Sequence, residues 1–72
     1  MEDKRYKAYR RTGVSWMRPY EFGEDMSGIS VSKEDEREVS GPGPHGMIAI
    51  NADNPNDRWY VSRQFCTNYE LV

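Results

Sequence analysis

Cysteine is almost missing from this 72-residue chain, with Cys66 the single one, so no intrachain disulfide can hold the fold. A lone thiol of this kind suits a reducing cytoplasm and most often fills space as a small hydrophobe. Histidine is as scarce: His45 stands alone, and one imidazole with one thiol cannot supply the four ligands of a structural zinc site. No apolar run is long enough to cross a bilayer or to form the core of a signal peptide, so a soluble, unsecreted protein without a membrane partner is expected. The chain also lacks a phosphate-binding glycine loop, a dinucleotide fingerprint, a nucleophile elbow and a Cys–His pair at useful spacing. These gaps argue against an enzyme and against any cofactor or metal. The short length excludes a large core, because a domain of this size buries only roughly 60% of the surface its unfolded chain exposes.

Charge is abundant instead, and it is segregated. The net charge is −2. Residues 1–20 hold six basic and two acidic side chains, for +4. Residues 21–57 hold nine acidic and two basic, for −7, and residues 58–72 add +1. A basic N-terminal part beside an acidic middle is the main electrostatic feature.

The stretch Gly46–Tyr69, GMIAINADNPNDRWYVSRQFCTNY, reads as strand, polar turn, strand and short helix, the unit on which the rest packs. Met47–Ile50 is a short apolar strand. Asn51–Asp57 carries turn chemistry, since Asn and Asp bond their own backbone and Pro55 fixes φ. A calcium loop does not fit it: Pro55 breaks the alternation of ligands, and Asn56 and Ser62 fall where glycine and glutamate are needed. In Trp59–Val61, Trp59 and Val61 share one face and Tyr60 takes the other. Ser62 is placed as an N-cap for a helix from Arg63 to about Tyr69. Val61, Phe65, Cys66 and Tyr69 would form its apolar stripe. On that reading Phe65 is core, and Phe65→Ala should cost about 3 kcal/mol or more, enough to unfold a domain of this size.

Upstream, Val14–Tyr20 reads as a strand with Val14, Trp16 and Arg18 on one face and Ser15, Met17 and Pro19 on the other. Trp16 is expected in the core, with an exposed contact residue as the alternative. Ser27–Ser32 alternates as a half-buried strand, Ile29 and Val31 inward. Residues 33–46 combine an acidic run with two glycine–proline steps and read as a disordered loop. His45 lies in that loop without the partners of a catalytic imidazole. The first twelve residues are charged, uncapped and without a helical stripe, and are expected to form a mobile basic arm. That arm is either a solubilising tail or a binding surface, in which arginine and tyrosine give paired hydrogen bonds and amphipathic contact area. In the second case Lys4, Arg5, Tyr6, Tyr9, Arg10, Arg11 and Arg18 are the candidate partner-binding residues. The expected fold is α+β in a single domain: a small antiparallel β-sheet of three to four short strands, one short C-terminal helix, the arm and the loop.

Three stretches carry a resemblance: YRRTGVSWMRPY (Tyr9–Tyr20), GEDMSGISVS (Gly23–Ser32) and GMIAINADNPNDRWYVSRQF (Gly46–Phe65). In these the chain is similar to a family of small bacteriophage proteins. One member of about this size, from a lytic phage of Xanthomonas, is a transcription regulator that binds host RNA polymerase. The resemblance implies a non-enzymatic regulator in the host bacterial cytoplasm. It would act as a monomer on the N-terminal part of the beta-prime subunit, inhibiting promoter initiation and promoting antitermination. Direct nucleic-acid binding is the alternative from the residues themselves, though the acidic middle opposes a long duplex. A small inhibitor of another host factor, with the acidic loop imitating phosphate, and an accessory phage protein also remain open.

Overall fold

Pro19 and Pro55 have no backbone N–H, and in a five-stranded antiparallel sheet the first ends its strand while the second falls where the register is interrupted. A computed structural model describes residues 3–72. Its strands are β1 (Lys7–Arg10), β2 (Val14–Pro19), β3 (Met47–Asn51), β4 (Asn54–Val61) and β5 (Glu70–Leu71), in the order β4-β3-β2-β1-β5. Two short helices, α1 (Glu36–Ser40) and α2 (Arg63–Cys66), lie in the connections. The coarse expectation of an α+β chain with a dominant antiparallel sheet agrees with this.

Both faces of the sheet are covered, and strand alternation decides which residue goes where. On one face Met17, Ala49 and Val61 are buried, with Tyr9, Met47, Trp59, Cys66 and Tyr69 packed against them. On the other, Tyr20, Ile48 and Tyr60 are buried beneath Met26, Ile29, Val31 and Val39. The first face is roofed by the segment running from β4 through α2 to β5. That segment must travel from one edge of the sheet to the other, and so it crosses the face on the way. The second face is roofed by the long connection between β2 and β3. Met17 and Ile48 are fully buried, so truncating either to alanine removes about 2–5 kcal/mol.

Several expectations are corrected. The sheet has five strands rather than three to four, because residues 7–10 of the expected arm form β1 between β2 and β5. Arg5, ahead of β1, is tied down as well, with Nη2 2.7 Å from Asp3 Oδ2 and Nη1 3.0 Å from Glu21 Oε2. Met1 and Glu2 of the arm lie outside the described residues. Ser27–Ser32 keeps its alternation but forms no strand: only Ser30 bridges to Trp59 of β4, in parallel. The expected disordered loop contains α1, whose Val39 packs on the Tyr20–Ile48–Tyr60 cluster.

Trp16 is half-buried, and the fully buried side chain of β2 is Met17 on the opposite face. Helix α2 stops at Cys66, well short of Tyr69, and Phe65 is 51% exposed. The apolar stripe therefore keeps Val61, Cys66 and Tyr69 and loses Phe65. Ser62 does occupy the N-cap position but makes no side-chain cap bond. The Arg63 N–H at the start of α2 instead donates to Glu38 Oε2 at 3.0 Å, from α1.

Candidate functional site

Arg11 follows β1 directly and lines an open groove bordered by Trp59 of β4, Phe65 of α2 and Tyr69. Two shallow depressions meet there and share Arg11, Trp59 and Tyr69. One extends toward the β1–β2 and β3–β4 turns and includes Asp53. The other extends toward α2 and includes Asp35 and Phe65. The Arg11 guanidinium carbon lies 6.0 Å from the centre of the Tyr69 ring, within the range of a cation–π contact.

Local sequence explains each placement. Trp59 projects to this face because it shares the parity of Val61 along β4. Asn51 Oδ1 accepts from the Asp53 N–H at 2.9 Å, the Asx turn expected from the asparagine-rich run, which sets Asp53 at the tip of the hairpin. Asn51 pairs with Asn54 while Ile50 pairs with Arg58, so residues 55–57 bulge out of register and Pro55 is accommodated there. Phe65 is presented outward because α2 makes only one turn; Tyr69 reaches back onto the core beyond its end.

The sequence-derived site residues do not converge. Arg11 lines the groove. Tyr9 is on the same face, packed against the buried cluster. Arg10 is exposed on the opposite parity, its guanidinium 4.0 Å from the Glu70 carboxylate. Lys4 is exposed in the turn before β1. Arg5 is held in its two ion pairs. Tyr6 lies against Arg18, whose guanidinium carbon is 5.5 Å from its ring centre.

Arg18, taken as a contact residue, is only 6% exposed. Its Nη1 donates to Glu24 Oε2 at 2.8 Å, Nη2 donates to Glu24 Oε1, and the same carboxylate accepts the Glu21 N–H at 2.7 Å. The paired guanidinium holds the Glu24 carboxyl below the usual carboxylate range. Arg18 is thus a clamp that ties β2 to the loop after it, not a surface charge. What sequence reasoning missed is the aromatic set Trp59, Phe65 and Tyr69 with Asp35 and Asp53. The available signal was the Thr67–Asn68 pair after Cys66, two poor helix formers that end α2 early and free Phe65 from the core.

His45 has a structural environment. Its Nε2 lies 2.7 Å from the Gly41 carbonyl oxygen, which makes that nitrogen the protonated one. Its ring stacks on Phe22, with centres 5.4 Å apart, and meets Tyr20 edge-on at 4.9 Å. Burial pushes the Cys66 thiol up, the reverse of an activated nucleophile. Among the described residues no three His, Cys, Asp or Glu side chains are grouped to hold a metal ion. Among the described residues no helix is long and apolar enough to cross a membrane. Comparison with protein families, curated proteins and solved structures finds no match to this chain.

Proposed function

We propose that this chain is a non-enzymatic phage regulator that binds host RNA polymerase, inhibiting initiation and promoting antitermination, and that the groove bearing Arg11 is its contact surface. The observation that carries the binding role is the open aromatic groove itself, with Trp59, Phe65 and Tyr69 beside an exposed arginine. Tryptophan, tyrosine and arginine are the side chains that dominate protein contacts, since each offers a large area and a polar handle. The partner comes from the sequence resemblance, which points to the N-terminal part of the beta-prime subunit. Asp35 and Asp53, which line the groove, favour a protein over a nucleic-acid backbone, because each would repel phosphate.

Co-purification of the tagged protein from host lysate, with and without nuclease, tests the reading. Stoichiometric polymerase after nuclease is the expected result. Recovery of none removes polymerase as the partner, and recovery only without nuclease makes nucleic acid the bridge.

A further inference from the structure

We infer that the groove takes an extended, proline-containing peptide segment carrying a basic side chain. This rests on the groove being the binding surface and names the chemistry of what fills it.

Shape excludes two other modes. A helix about 10–12 Å across needs a deep channel to bury one face, whereas these two adjoining depressions are open. Strand addition is blocked where the aromatics lie, because the outer edge of β4 is already occupied. The Ser30 N–H donates to the Arg58 carbonyl at 3.0 Å and the Tyr60 N–H donates to the Ser30 carbonyl at 2.9 Å. An extended segment that needs no backbone ladder from its host remains. Polyproline II is that conformation: it makes no internal hydrogen bonds, leaves its carbonyls outward and is already stiff before binding.

The side chains match it. Pyrrolidine rings pack on flat aromatic faces, and Trp59, Phe65 and Tyr69 line one continuous surface. The outward carbonyls need donors, which the Trp59 indole N–H, the Tyr69 hydroxyl and the Arg11 guanidinium can supply. Charge sets the rest. Arg11 lies over the Tyr69 ring, and one carboxylate lines each depression, Asp53 in one and Asp35 in the other. A lysine or arginine on the ligand can pair with either of them.

Titration of the isotope-labelled full chain with a synthetic peptide of about eight prolines ending in arginine tests this by NMR. Shifts at Arg11, Trp59 (including its indole N–H), Phe65 and Tyr69 are expected, and a serine-for-proline peptide should bind about tenfold more weakly. Phe65→Ala, at an exposed position, should weaken the proline peptide about tenfold with the spectrum otherwise retained. Equal binding of the serine peptide, shifts on the opposite face, or no shifts at millimolar peptide overturns the inference. So does tighter binding of a glutamate-ended peptide, or of a single-stranded thymidine oligonucleotide at the same cross-peaks. If the peptide binds as expected and polymerase is not captured from lysate, this inference stands and the polymerase reading falls. If polymerase is captured equally well by wild type and by Phe65→Ala while the peptide result holds, the polymerase contact lies elsewhere and the inference again stands.

Discussion

A methyl group on Gly46 would sit 1.8 Å from the Val61 carbonyl oxygen and 2.7 Å from the Ser62 carbonyl carbon, both backbone atoms that cannot turn aside. Gly46 also donates its N–H to the Tyr60 hydroxyl at 2.7 Å and accepts from the Tyr20 N–H at 3.1 Å. Gly46→Ala should therefore cost about 3 kcal/mol or more, enough to unfold much of the population, while Gly13→Ala, with open space around it, should change stability by less than about 1 kcal/mol. Thermal melting by circular dichroism of the two variants reads this contrast. At Phe65 the half-exposed ring reduces the expected loss for Phe65→Ala to below about 1 kcal/mol, and a large drop in melting temperature would return Phe65 to the core. The Arg18–Glu24 clamp has a pH signature. Glu24 ordinarily titrates near 4.5 and is held lower in the folded chain, so its contribution is complete above that value and disappears as pH falls through the lower folded value. Glu24→Gln should be less stable than wild type near neutrality, with the gap closing as pH falls from 4.5 through the lower folded value. A gap that is constant with pH would show that the charge on Glu24 is not what stabilises the loop.

The short helices depend on each other more than on their own sequences. Neither α1 nor α2 exceeds five residues, far below the length at which a helix holds itself in water. Glu38 links them: its carboxylate accepts from the Tyr60 hydroxyl and from the Arg63 N–H, joining α1, β4 and the start of α2. Burial, reinforced by Glu38, pushes the Tyr60 phenol above its ordinary value of 10.0. The folded chain then holds a proton that the unfolded chain releases, so stability falls as pH rises past about 10. Tyr60→Phe should lose that alkaline dependence. Glu38→Ala should lower stability by about 1–3 kcal/mol and speed hydrogen exchange at the Arg63 amide first. Unchanged exchange at Arg63 would mean that α2 is held by Cys66 and Tyr69 alone.

For the whole molecule, the two adjacent arginines separate two ideas of how it binds. A flexible arm would use Arg10 and Arg11 together, but β1 is a strand, and only Arg11 lines the groove. Arg11→Ala should therefore weaken capture of the partner about tenfold, and Arg10→Ala should leave it within about twofold. Equal losses at both positions in a quantitative pull-down would restore the arm as the contact. The segregated charge is also reorganised by the fold. Arg5 reaches across to Glu21 and Arg18 to Glu24, so the basic N-terminal part is fastened to the acidic connection instead of extending from it. Basic charge that read as available for a partner is in good part spent inside the chain.

Strand character and side-chain parity were legible in the residues because alternation is a local property. The strands expected at Val14–Tyr20, Met47–Ile50 and Trp59–Val61 are present, ending at Pro19 in the first, running on to Asn51 in the second and starting earlier, at Asn54, in the third, with Trp59 and Val61 on one face and Tyr60 on the other. The Asx turn at Asn51 and the inward alternation of Ile29 and Val31 were local in the same way, but the turn expected over Asn51–Asp57 ends at Asp53, and Asn54–Asp57 belong to β4. What tertiary structure decided was pairing and exposure, which depend on residues far apart in the chain. Lys7–Arg10 has no strong pattern of its own and becomes a strand because β2 and β5 offer it backbone partners on both sides. Arg18 carries a charge that reads as surface until Glu24 folds over it. Phe65 sits at core spacing, yet one turn of helix and the return of Tyr69 to the sheet leave it facing solvent. The groove exists only because β4, α2 and the residue after β1 are brought together across the sheet, and no window of sequence contains all three.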